Sequence, residues 1–175
     1  TITVTAKDDA IRGNDSITIG NASATDYKNL NVTATSTAGD AFKTKDTDTT
    51  SGKGYLTING GTIQATAYAD AFHSSQTLTV NGGDINIQTT CPVSNSNTGG
   101  WGGFPGGGGD GNSDKTDISA KGLKAGCTDD NNNTIEGNIT IAGGTITIDS
   151  TDDSVHATNI TVTGGTVTAK SEGQA

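Results

Sequence analysis

Three observations predict an all-β fold, a parallel β-helix, for this chain of 175 residues. First, the segments "LTINGGTIQATA", "LTVNGGDINIQTT", "ITIAGGTITIDS" and "ITVTGGTVTAK" alternate apolar and polar residues at period two, the strand signature, and carry no helical spacing. Second, the residues that open them recur regularly: Leu56 to Leu78 is 22 residues and Ile139 to Ile160 is 21. Third, apolar side chains make up 30% of the residues and 26 residues are Gly, so much of the ~45–50% that ordinary domains count as apolar, glycine included, here brings no side chain to a core. A thin core shared by short coils fits that composition, and a thick core does not.

Each element of a coil can be read in turn. A first strand such as "LTING" runs into a Gly-Gly corner at Gly60-Gly61, Gly82-Gly83, Gly143-Gly144 and Gly164-Gly165, where glycine takes backbone angles that other residues avoid. A second strand such as "TIQATA" follows. The third strand is a recurring phrase: "DDAIRGN" from Asp8, "GDAFKTK" from Gly39, "ADAFHSS" from Ala69, "KGLKAG" from Lys121 and "DDSVHAT" from Asp152. Ile2 to Asp9, Ile63 to Asp70 and Ile146 to Asp153 each span 7 residues, and Val32 to Asp40 spans 8. Two corners carry inserts, "GNASATDYKN" and "DTDTTSGKG". Leu78 to Ile139 is 61 residues, so one coil holds a long Gly-rich loop insertion, placed at 91–127. The expectation is one domain over 1–175, a solenoid of about five coils.

Stacking the coils turns every position of the repeat into a column with about 4.8 Å between rungs. Ile11, Phe42, Phe72, Leu123 and Val155 form an inward apolar column. Arg12, Lys43, His73, Lys124 and His156 form a basic one. Asp9, Asp40, Asp70, Lys121 and Asp153 form an acidic one, interrupted by a lysine. Stacked carboxylates repel unless they hold a cation or take protons. Calcium, which accepts 6–8 oxygen ligands in flexible geometry, is the expected cofactor, as several ions. Asp8, Asp152, Asp46, Asp48, Asp129 and Asp130 supply further hard donors nearby. Lys121 reads as an internal cation paired with Asp70 and Asp153. The bland alternative for each Asp is a turn cap.

The net charge of −9 argues against nucleic acid or an anionic membrane as partner, and no run of about 18 apolar residues exists to span a bilayer. The basic column reads either as outward residues paired with neighbouring carboxylates or as contacts for acidic sugars. Trp101 and Phe104, inside "GGWGGFPGGGG", either stack on a sugar ring or a neighbouring subunit or fold back on the flank. Cys91 and Cys127 flank the insertion, and a disulfide clamping its base is preferred to two buried free thiols; a disulfide places the protein outside the cell.

Taken as a set, the "GDAFK", "DDAIR", "ADAFH" and "DDSVH" phrases, the "NGGTI" corners and the Gly-rich insertion resemble the secreted carbohydrate-binding domain proteins that look like polysaccharide lyases. The resemblance spans the chain. It implies a right-handed β-helix with bound calcium on Asp9, Asp40, Asp70 and Asp153, and binding of cellulose-type or pectin-type polysaccharide. The expected function is a non-catalytic, secreted, calcium-binding module at the cell surface or in the matrix. The alternatives are a subunit that stacks head-to-tail into a calcium-stabilised filament and a calcium-dependent lyase with Lys43 or Arg12 as base. The chain begins at Thr1 without Met, which fits a trimmed secreted protein or a domain cut from a longer β-helix.

Overall fold

The computed structural model describes residues 1–22, 29–49, 52–92 and 119–172. Among them there is no helix, and the strands fall into three parallel sheets. The first sheet is ordered β1 (Ile2–Ala6), β4 (Asn31–Ser36), β7 (Thr62–Ala67), β10 (Asp84–Thr89), β15 (Thr145–Ser150), β18 (Thr166–Ser171). The second runs β2 (Ile11–Gly13), β5 (Phe42–Thr44), β8 (Phe72–Ser74), β11 (Leu123–Ala125), β16 (Val155–His156). The third runs β3 (Ser16–Ile19), β6 (Tyr55–Ile58), β9 (Thr77–Val80), β14 (Asn138–Ile141), β17 (Asn159–Val162). The chain visits the sheets in strict rotation, so each circuit adds one strand to each: an all-β, solenoid-like arrangement. One small antiparallel pair, β12 (Cys127–Thr128) with β13 (Thr134–Ile135), stands outside this plan.

The register follows the repeat. Ile17, Leu56, Leu78, Ile139 and Ile160 face one another across the third sheet, and Ile11, Phe42, Phe72, Leu123 and Val155 across the second. Period-two alternation then buries every other side chain, as in β10 and β15. The Phe42 and Phe72 rings stack with centroids 4.6 Å apart and planes 1° from parallel, the direct result of equal residues on adjacent rungs. A fully buried Leu, Ile or Phe contributes roughly 1.5–3 kcal/mol. Because no coil can cover its own apolar row, that gain exists only in the stack. The last rung shows the converse: Ile160 and Val162 stay 50% and 60% exposed.

The Gly-Gly corners are a backbone ladder. Gly61, Gly83, Gly144 and Gly165 have φ of 106°, 111°, 93° and 89°, the left-handed region. A Cβ on Gly144 would also lie 2.9 Å from the carbonyl oxygen of Gly83, and one on Gly83 the same distance from that of Gly61. Coils approach this closely only without side chains there.

Two expectations change. Lys121 N–H donates to Asp70 Oδ1 and Leu123–Ala125 is β11, so the stack has resumed well before residue 127; residues 93–118, with Trp101 and Phe104, lie outside the described residues. The expected disulfide is absent: Cys91 and Cys127 are free thiols. Cys91 follows β10 of the first sheet, its N–H bonded to the Tyr68 carbonyl, whereas Cys127 opens the hairpin that leaves the far end of β11 on the second sheet. Flanking a loop in sequence does not bring them together, because the coil turns between them.

Gly144→Ala is expected to lower stability by about 1–3 kcal/mol, the usual cost of a strained backbone position. Gly82→Ala, whose φ is not positive and whose nearest contact is 3.2 Å, should cost measurably less; urea denaturation of both variants checks the difference.

Candidate functional site

The three columns of the recurring phrase meet on the second sheet. Its strands are short, so the apolar residue points inward, the base beside it points outward, and the Asp three residues before the base lies at the strand's entry. Arg12, Lys43, His73, Lys124 and His156 are in register, as expected.

Asp9, Asp40 and Asp70 each use their two oxygens differently. Asp40 N–H donates to Asp9 Oδ1 at 3.1 Å, Asp70 N–H to Asp40 Oδ1 at 2.9 Å, and Lys121 N–H to Asp70 Oδ1 at 2.9 Å. One oxygen therefore ties each rung to the next. The other meets a base: Lys43 Nζ lies 2.8 Å and His73 Nδ1 3.2 Å from Asp40 Oδ2, Lys124 Nζ donates to Asp70 Oδ2 at 2.9 Å, and His156 Nδ1 lies 2.9 Å from Asp153 Oδ2. Arg12 approaches Asp9 at 3.8 Å. Lys121 Nζ bonds Asp152 and lies 3.6 Å from Asp153. Its predicted role as an internal cation stands, with Asp152 as partner and Asp70 held through the backbone instead.

These pairs move the titrations. Burial alone pushes the Asp40 carboxyl up, but the bonds from His73 and Lys43 outweigh it and hold the group below its ordinary value. Burial pulls the Lys43 ammonium down, and Asp40, with Asp9 and Asp70, overrides that and raises it. Lys121 and Asp152 shift apart in the same way, the lysine up and the aspartate down.

The column is a poor calcium cage on chemical grounds. Ligand atoms of Asp40, Asp70 and His73 lie within 4.8 Å of one another, yet this gives two carboxylates and one imidazole, against the 6–8 oxygens that calcium takes. Both carboxylates already accept a backbone N–H and a cationic side chain. Of the other predicted ligands, Asp46 and Asp48 both pair with Lys53 at 3.4 Å, and Asp8 is exposed. Asp129 accepts the N–H groups of Asn131 and Asn133 and the Asn133 side-chain amide, capping a turn.

Above the basic column lies a groove made of two adjoining cavities of about 490 and 410 Å³. Lys43 and His73 floor the first; His73, Lys124 and His156 floor the second. The β12–β13 hairpin stands at their junction, Cys127 and Thr128 lining both. Sequence reasoning missed this hairpin, taking "CTDDNNNTIEGN" only as a source of oxygen donors, although "TDDNNNT" between short β-prone pairs is a turn signal. It also missed Ser119, whose hydroxyl donates to Asp70 Oδ1 at 2.7 Å, and Asp15, which lines the first cavity.

Two measurements test the ladder. Asp40, lowered in the folded state, adds stability above about pH 4 that is lost as pH falls through the carboxylate range; Lys43, raised, adds stability below about pH 10 that is lost as pH rises past it. Melting temperature against pH should show a plateau between those limits, with the acid limb flattened in Asp40→Asn and the alkaline limb in Lys43→Met. Asp70→Asn, which strands Lys124, should cost about 3 kcal/mol or more.

A search of curated proteins and one of solved structures each give no match. A family model does match, and it covers the solenoid, the ladder and the groove together, from residue 1 to residue 175. By that match the chain belongs to the carbohydrate-binding domain-containing protein family.

Proposed function

We propose that the groove on the second sheet is the carbohydrate site and that the chain is a non-catalytic, polysaccharide-binding module, a right-handed parallel β-helix of five coils acting outside the cell. The observation that carries it is the coincidence of a roughly 900 Å³ groove, the two cavities taken together, with the rigid basic column in a family named for carbohydrate binding. Ligand pockets of about 300–1,000 Å³ with a few fixed polar groups are the usual size for such a role. A binding role is favoured over lyase chemistry because bases repeat beside carboxylates along the column, and Lys43, expected as a lyase base, is held in its charged form by Asp40, with no lone pair left to take a proton. Repetition of that kind supports architecture and recognition more than proton abstraction. With both thiols free, the extracellular placing rests on the family and the polysaccharide partner alone.

One finer reading loses support. Calcium was expected because stacked carboxylates lacked a cation, and here lysine, arginine and histidine side chains fill that role.

Affinity electrophoresis in polysaccharide-containing gels should retard the protein. The double variant Lys45→Ala with His156→Ala, exposed residues that line the first and the second cavity, should weaken binding by roughly tenfold with its melting temperature little changed. Unretarded migration in every gel would sink the reading. Chelation should leave the melting temperature within about a degree, because a metal bound only to the folded state must stabilise it; a calcium-dependent rise lost in Asp70→Asn would return the metal to the column.

A further inference from the structure

The two cavities differ in chemistry, and the hairpin is what keeps them apart. Around the first, acids and bases are mixed: Asp15, Asp46 and Asp130 stand with Lys43, Lys45 and His73. Around the second no lining residue is acidic, and Lys124 sits between His73 and His156 on successive rungs. Asp70 and Asp153 contact those bases without lining the cavity. His73 Nε2 is buried without a hydrogen-bond partner, at the rung where the cavities meet.

The wall between them is braced. Asp129 ties down the tip through three bonds, and Asp129 N–H donates to the Asn133 carbonyl at 3.0 Å. Asn132 adopts φ of 61°, the left-handed conformation that a tight turn requires. At the neck, Gly126 has φ of 98° and a Cβ on Gly137 would collide with the Ala125 carbonyl. The two ends of the hairpin therefore cross backbone against backbone at its neck.

We propose that this hairpin, Cys127–Ile135, is the specificity element of the groove: by dividing it into a mixed and an acid-free subsite, it selects glycans in which an anionic sugar adjoins an uncharged one. This rests on the groove being the carbohydrate site. A uniformly anionic chain places charge against Asp15, Asp46 and Asp130, whereas a neutral chain forgoes the donors that Lys124 and His156, paired behind the cavity with Asp70 and Asp153, still offer an anion. Only a ligand of alternating charge satisfies both halves at once, and it binds in one direction.

Isothermal titration of the whole chain with three hexasaccharides tests this: a hyaluronan fragment, in which uronate alternates with an N-acetylated amino sugar, an oligogalacturonide, and cellohexaose. The hyaluronan fragment should bind roughly tenfold tighter than either uniform ligand. Asp130→Lys, an exposed change at the hairpin tip, should shift preference toward the oligogalacturonide by at least about fivefold. A variant with Thr128–Thr134 replaced by Gly-Gly, its fold checked by circular dichroism, should even out the three affinities. Equal affinities in the unmodified protein, or a uniform ligand binding best, overturn the specificity role while leaving carbohydrate binding in place. Unchanged preference in Asp130→Lys also overturns it. Binding of none of the three, nor of any polysaccharide in the gels, removes the function reading and this inference together.

Discussion

The constraint on which the rest of the structure depends is the rung spacing. In a stack of parallel coils, a carboxylate at one position of the repeat is brought to within about 4.8 Å of its equivalents above and below. Two bare carboxylates at that separation repel by about 3.5 kcal/mol at an effective dielectric near 20. Repeated over several rungs, the repulsion rivals the 5–15 kcal/mol that separates a folded domain from its unfolded chain. The acidic column can exist only because each Asp brings a base three residues later, and because the other oxygen of Asp9, Asp40 and Asp70 accepts the N–H of the adjoining rung. Where the Asp is replaced, at Lys121, the replacement is itself a cation that reaches Asp152 and Asp153. Buried ion pairs of this kind contribute little to net stability and a great deal to register, since a slip by one rung would strand charges.

That constraint also explains what could be read in the sequence. The five apolar and five basic positions of the phrase were legible in order, because a repeat of fixed length with glycine corners leaves one way to align the coils, and the observed partners Ile11, Phe42, Phe72, Leu123 and Val155 follow it. The pairing of acid with base is one of the two readings that the sequence leaves open for the basic column, and these pairs form. Which rung each base reaches was not legible, because a strand's twist and the length of lysine let a side chain reach diagonally, as Lys124 does to Asp70 on the neighbouring rung. The disulfide misled for a similar reason: sequence proximity to the insertion carries no information about which face of the coil each cysteine occupies. The hairpin lay hidden because its strands are two residues each, too short for periodicity to register.

Charge is partitioned among the faces. Outward residues of the third sheet are Ser16 and Thr18, Tyr55 and Thr57, Thr77 and Thr79, Asn138 and Thr140, Asn159 and Thr161, none of them charged. In a chain of net charge −9, that neutrality leaves the paired charges to the other two faces: most lie on the second sheet, and the first carries the exposed pair Lys170–Asp149. The same uncharged threonine column explains why the third sheet needs no compensating bases: hydroxyls at strand spacing do not repel.

A solenoid can change its surface only at corners, because a residue inserted within a strand would shift every column of that coil. The inserts obey this. The residues Asp46 to Thr49 leave between β5 and β6, and the hairpin leaves between β11 and β14. Both depart at the corner joining the second sheet to the third, so both rise beside the basic column and none of the ladder is disturbed. Stacking supplies the invariant floor of the groove, and the corner inserts supply its walls. Recognition in such a protein is therefore expected to vary through Asp46, Asp130 and the hairpin, while the columns beneath are fixed by the electrostatics of the stack.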